Sequence, residues 1–96
     1  FYILKFSNLT ESFIKFGITS KDLKTRINKY PSSYTIEVIK SKQTSPTETW
    51  DLENYMKNKY KLYKYIPKTK FGGSSQECIN INILNEIKND KTVCCN

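Results

Sequence analysis

The chain of 96 residues has no histidine and only three cysteines, Cys78, Cys94 and Cys95. Without imidazole there is no Cys/His zinc site, and a site built from cysteine alone is one ligand short of four. An odd number of thiols, two of them adjacent, is not a disulfide framework. It fits a reducing intracellular compartment. No apolar run approaches the ~18 residues that mark a bilayer-spanning helix, and no basic stretch followed by an apolar one reads as a signal peptide. The first residue is Phe1 rather than Met, which admits a longer parent protein. Acidic side chains are scarce: nine Asp and Glu stand against 16 Lys and Arg, a net charge of +7. Such an excess on a small body favours an anionic partner, nucleic acid or an anionic membrane surface. Charge alone leaves open the plainer reading that the lysines keep the domain soluble.

Aromatic residues are plentiful, with seven Tyr and five Phe, and the apolar fraction of 38% is that of a globular chain. The length suits one domain, expected over residues 1–90, with 91–96 a loose tail. Residues 1–7 and 13–19 read as strands of a hairpin around a polar turn. In the second strand Ile14, Phe16 and Ile18 share one face, and Lys15, Gly17 and Thr19 share the other. Ser20 is the expected N-cap of a helix over 21–30, with Leu23, Ile27 and Tyr30 as its buried stripe and Pro31 as its stop. Residues 34–40 alternate as a third strand. Ser45-Pro46-Thr47-Glu48 is a capping box with proline at the first helical position, and predicts a long helix over 46–64. Positions 50, 53, 56, 60 and 63 fall on one stripe, with Trp50, Met56, Tyr60 and Tyr63 around Glu53. A short strand near 77–81 and a short last helix follow. The expected fold is therefore α+β: a central three-stranded, mostly antiparallel sheet flanked by helices, in the order β-β-α-β-α plus a short C-terminal element.

Four polar groups stand out on this frame: Lys15, Arg26, Tyr30 and Glu53, with Tyr2 on the first strand beside them. Hydrolysing a phosphodiester needs a cation to polarise the phosphate, a base for the attacking water and a positive group where charge grows. Glu53, Lys15 and Arg26 can supply those roles in that order. Arginine suits the last because its planar fork matches phosphate oxygens and never loses its charge. A plain salt bridge from Glu53 to one of the many lysines is the competing reading.

With these residues in place, the sequence resembles the GIY-YIG nuclease superfamily. Phe1-Tyr2-Ile3 stands at the first motif and Lys15-Phe16-Gly17-Ile18-Thr19 at the second. Arg26 and Tyr30 match the family's arginine and its His/Tyr position, and Glu53 matches its metal-holding glutamate. The likeness covers roughly residues 1–80 and is nearest the phage, viral and bacterial branch with a Lys-Phe-Gly-Ile-Thr second motif. That branch closes with a segment here resembling Gly73-Ser74-Ser75-Gln76-Glu77-Cys78. Lys15 replaces the family's second tyrosine, and its late asparagine has only Asn80 and Asn82 as counterparts. Chemistry assigns Glu77 no role.

The resemblance implies a metal-dependent endonuclease. Glu53 would hold Mg²⁺ (or Mn²⁺), Lys15 or Tyr2 would act as base, Arg26 would stabilise the phosphate and Tyr30 would position a hydroxyl. Lys57, Lys61, Lys64, Lys68 and Lys70 are the expected backbone-binding lysines. Interleaved Tyr55, Tyr60, Tyr63 and Tyr65 pack in the core or lie against sugar and base faces. The expected partner is nucleic acid, DNA before RNA, with no membrane partner. Cutting both strands calls for a homodimer or for two visits. For a viral protein the compartment would be the host cell interior. The alternative is a catalytically inactive nucleic-acid-binding module of the same fold in a larger viral or mobile-element protein. A third reading is an interaction domain for which nucleic acid is irrelevant.

Overall fold

The computed structural model describes residues 1–20, 22–72 and 76–94. The expected helix start at Lys21, the Gly73-Ser74-Ser75 part of the closing segment, and Cys95 and Asn96 lie outside the described residues. Strands β1 (Tyr2–Ser7) and β2 (Ser12–Gly17) form the expected hairpin. Its turn is closed by Asn8, whose side-chain oxygen accepts from the backbone N–H of Thr10 and of Glu11, both at 2.9 Å. Strand β3 (Thr35–Ser41) pairs with the outer edge of β1. The register shifts between Ile3 and Leu4, and Ile39 packs on one face of the sheet while Ile36 packs on the other, as their odd spacing requires.

The sheet has four strands, not three. Strand β4 (Cys78–Asn80) pairs with β2, giving the order β3-β1-β2-β4 with every pairing antiparallel. The short strand near 77–81 was expected, but the sequence does not say which edge it joins. Both faces of the sheet are covered. On one, Ile3, Ile14 and Phe16 pack against Leu52, Met56 and Tyr60 from α2 (Pro46–Lys59), with Ile83, Ile87 and Val93 closing that layer. On the other, Tyr2, Leu4, Phe6 and Phe13 meet Tyr30 and Tyr34, with Leu23 and Ile27 from α1 (Leu23–Ile27) against them.

Several boundaries differ from the expected ones. Helix α1 starts after Asp22 rather than Ser20, because the Asp22 carboxylate accepts from the Thr25 backbone N–H at 3.0 Å. Regular helix ends at Ile27, and tighter i→i−3 bonds from Lys29 and Tyr30 carry the chain to Pro31. In α2 the Ser45 cap forms as expected, accepting from the Glu48 N–H at 3.2 Å. The helix ends at Lys59, not Lys64, and a 3₁₀ turn follows at Lys61–Tyr63. Its buried face is Leu52, Met56 and Tyr60; Trp50 and Tyr63 are exposed, at 66% and 45%. The expected stripe was therefore rotated toward solvent at both ends. Near the chain end α3 (Leu84–Lys88) is followed by α4 (Lys91–Cys94), so the residues expected to be loose are helical as far as Cys94, and Val93 is buried.

Two buried carboxylates tie the layers together. Asp90 accepts from the Tyr60 hydroxyl at 2.7 Å, Lys59 Nζ at 3.0 Å and the Tyr55 hydroxyl at 2.9 Å, pinning the C-terminal helices to α2. Glu11, at the hairpin turn, accepts from the Tyr34 and Tyr65 hydroxyls, each at 2.6 Å, and from the Lys68 N–H at 3.1 Å. Burial by itself would push the Glu11 carboxyl up, but the hydrogen bonds from Tyr34, Tyr65 and Lys68 outweigh it and hold it below its ordinary value. A depressed carboxyl stabilises the fold above its unfolded pKa, and that stability is lost as pH falls through the folded value. The melting temperature should therefore drop as the pH is lowered below about 4.5. Glu11→Gln should cost about 1–3 kcal/mol at pH 7, since the amide cannot accept all these bonds, and should flatten the acid limb. Thermal melts of both proteins between pH 3 and 7 check this; an unchanged acid limb in the variant would exclude Glu11 as its cause.

Candidate active site

The site lies at the end of the sheet opposite the Asn8 turn, where the start of β1 meets the end of β2. Tyr2 and Gly17 are register partners there. A Cβ added to Gly17 would stand 2.6 Å from the Tyr2 hydroxyl oxygen and 2.8 Å from its ring carbon, so only glycine lets the phenol lie across the neighbouring strand. The Tyr2 hydroxyl reaches that of Tyr30 at 2.6 Å, and Arg26 Nε donates to the Tyr30 hydroxyl at 3.4 Å. Helix α1 and the tight turn after it thus set Arg26 and Tyr30 over the end of β1. Burial, then the bond with Tyr30, pushes the Tyr2 phenol up to about 12. It is a proton donor at neutral pH. The Arg26 guanidinium, bonded to Tyr2 and Tyr30, is held above its ordinary value and keeps its charge.

Lys15 is the unusual member. Its side chain is fully buried, at 0% exposure, in the middle of β2. Mid-strand lysines normally face water. This one sits on the face that carries Tyr2 and Tyr30, and its ammonium lies 6.0 Å and 5.6 Å from the centres of those rings. Its charge is met by Glu77, with Nζ to Oε1 at 3.0 Å. Glu77 precedes β4, and its carbonyl accepts from the Phe16 N–H at 3.1 Å, which fixes it beside Lys15. Taking a lysine out of water costs several kcal/mol unless a partner and further polar contacts compensate. Glu77 and the two rings provide that compensation.

Glu53 comes to the same place from α2. It is half-buried, and its carboxyl is held above the ordinary range, first by burial and then by a hydrogen bond with the Glu77 carboxyl. The simple salt bridge weighed for Glu53 is thus not its main contact. Tyr2, Lys15, Arg26, Tyr30 and Glu53 all converge. Glu77, which the sequence reading left without a role, is the residue that links Lys15 to Glu53. The β2–β4 register, with Cys78 opposite Lys15, is what brings it there. The Cys78 thiol is itself buried and raised to about 12, chiefly by burial, so it stays protonated and inert.

Tyr2 and Glu53 line an opening of about 630 Å³ together with Phe1, Ile18 and Trp50, and Arg26 lines an adjoining one of about 320 Å³ with Lys29. Ile18, Thr19 and Ser20 belong to both walls. No family model, curated protein or solved structure matches the chain. What the site can do therefore rests on its own geometry.

Of the five expected phosphate-binding lysines, Lys57, Lys61 and Lys64 surround one depression of about 200 Å³ beside Cys78 and Gln76. Lys68 is elsewhere: its amine donates to the Thr10 carbonyl at 3.3 Å, at the hairpin turn, and its backbone serves Glu11. The length of β1 separates that turn from Tyr2 by about 17 Å. Lys70 is exposed on the same following loop. Among the described residues no group of three or more His, Cys, Asp or Glu side chains could hold a metal ion, and no helix is long and apolar enough to cross a membrane.

Proposed function

We propose that the domain is a divalent-metal-dependent nuclease of the GIY-YIG type, acting on the phosphodiester backbone of nucleic acid, DNA in the first instance. The observation that carries this reading is the fully buried Lys15 ammonium, held between Glu77 and two tyrosine rings and adjoining Glu53 at an open wall. Buried charge of this kind is expensive, and clusters of it at a cleft are characteristic of chemistry rather than of packing. In this reading β1, β2, β3, α1 and α2 form the family's frame and β4 adds an edge strand that delivers Glu77.

The donor set fits a divalent cation. The Glu53 and Glu77 carboxyls are neighbours, and Mg²⁺ is commonly held by one or two carboxylates with water completing its shell. Glu53, with Glu77 beside it, would hold the ion, which when bound would supply electrophilic stabilisation of the phosphate. The chain's own groups divide the rest of the work. Arg26 stands at the adjoining opening as a permanent cation for a phosphate oxygen. The Tyr2 hydroxyl, protonated and hydrogen-bonded to Tyr30, orients water or a phosphate oxygen by donation. Lys15 holds Glu77 through their ion pair, and the Glu77 carboxylate would take the proton of the attacking water.

A binding module of the same fold without chemistry is the second reading. It is favoured because neither of the two expected bases is ready: Tyr2 is raised to about 12 and the Lys15 amine is already paired with Glu77.

Glu53→Gln separates the two. The amide keeps the shape and loses the charge that a hard cation needs. Because the folded state already disfavours ionised Glu53, the variant should melt at or slightly above the wild-type temperature at pH 7. It should nick supercoiled plasmid in Mg²⁺ no faster than an EDTA control. A variant that cuts at the wild-type rate removes the metal site from the account, and wild type inert in both Mg²⁺ and Mn²⁺ leaves the binding module.

Binding itself should weaken steeply with salt, because lysine–phosphate contacts release counterions. Lys57→Gln, Lys61→Gln and Lys64→Gln should each lower the slope of log affinity against log salt by about one. Lys68→Gln should leave it unchanged, as Lys68 is turned onto Thr10. Filter binding at several salt concentrations measures the slopes; equal effects from all four would deny the three-lysine cluster a special place.

A further inference from the structure

Trp50 is the sole tryptophan and is 66% exposed. It stands in the first half of α2, one turn before Glu53, so their side chains leave the helix on one side. Together they line the 630 Å³ opening, with Phe1, Leu23 and Pro46 in the wall and Ile18, itself 47% exposed, at its rim. The volume falls within the range of ligand-binding clefts, about 300–1,000 Å³. A large indole left mostly in water beside a polar, charged centre is not there for the core, which α2 serves through Leu52, Met56 and Tyr60.

We infer that this opening receives an unpaired nucleobase, stacked on Trp50, next to the phosphate held at Glu53 and Arg26, and that the preferred substrate is single-stranded or locally unpaired nucleic acid. The inference rests on the nuclease-fold reading for the position of the phosphate. Three observations select this occupant. The wall is apolar and aromatic where a base face would lie. The adjoining opening, which shares Ile18, Thr19 and Ser20, carries the cations Arg26 and Lys29 for the backbone that must accompany a base. The chain as a whole carries +7, which suits a polyanion. A base inside a duplex has both faces covered by its neighbours, so an indole can stack only on one that has left the helix. Stacking of this kind tolerates every base, because each has a π-face.

The single tryptophan supplies its own reporter. The full chain is titrated in EDTA, where no cutting competes, with an eight-residue oligothymidylate and with a blunt duplex. The single strand should quench Trp50 emission and the duplex should not. With a labelled oligothymidylate followed by anisotropy, Trp50→Ala should weaken binding roughly 5- to 150-fold, the worth of one stacked base, and Trp50→Phe should restore most of it. Duplex affinity should be the same in all three proteins. Equal affinity for strand and duplex without quenching, or an unaffected Trp50→Ala, overturns the inference. So does sedimentation at dimer mass that Trp50→Ala abolishes, which would give the surface to a second copy of the chain. Quenching and Trp50-dependent binding without Mg²⁺-dependent cutting would defeat the nuclease reading alone, whereas cutting that ignores Trp50 would defeat the platform alone.

Discussion

A full positive charge buried in the centre of a β-sheet is the constraint around which this domain is arranged. Lys15 cannot reach water from its place on β2. Everything around it answers that fact. Strand β4 pairs with β2 and brings Glu77 to 3.0 Å. Tyr2 and Tyr30 turn ring faces toward the ammonium. Gly17 leaves room for the Tyr2 phenol. Replacing such a pair by apolar residues of equal volume is often neutral or stabilising. A buried pair of this kind is therefore weak evidence for stability.

The same economy runs through the rest of the molecule. Acidic residues are outnumbered, yet Glu11, Asp90, Glu53 and Glu77 sit at the points where layers or chemistry meet. Glu11 and Asp90 are each surrounded by tyrosine hydroxyls, and their bonds outweigh the cost of burial. Both are structural ties, remote in role from the open end of the sheet. Glu53 differs in sign: its surroundings raise the carboxyl instead of lowering it. That contrast accompanies the difference in place: Glu53 lines the opening at the end of the sheet, whereas Glu11 and Asp90 are enclosed by their donors.

Much of the frame was legible because local chemistry wrote it. Ser45 and Pro46 fixed the start of α2, and the alternation of β1 and β2 fixed their pairing. The site was half legible. Tyr2, Lys15, Arg26, Tyr30 and Glu53 stand out by type and spacing, and the fold brings them together. Lys15 stands out by type, but its complete burial does not, because one sequence cannot show that α1 and its turn cover the strand's polar face too. Glu77 stood in the closing segment of the resemblance without a role for a related reason: its partner is 62 residues away, across a strand pairing no local rule predicts. The phase of α2 differs from the expected stripe because Trp50 and Tyr63, though aromatic, face solvent. Leu52 is the residue actually facing inward, and with Met56 and Tyr60 it makes an i, i+4, i+8 row. The end of α2 had no breaker before Pro67 to mark it.

If the buried pair is kept for chemistry, its removal should separate activity from stability. The direct measurement is the melting temperature and the Mg²⁺-dependent plasmid-nicking rate of the double variant Lys15→Met/Glu77→Gln, which removes both charges and preserves bulk. The expected result is a fold that melts within a few degrees of wild type and nicking reduced by about 10²–10⁴-fold, the usual worth of a lost acid–base group. A folded double variant that nicks at the wild-type rate contradicts the account, as does one that no longer folds.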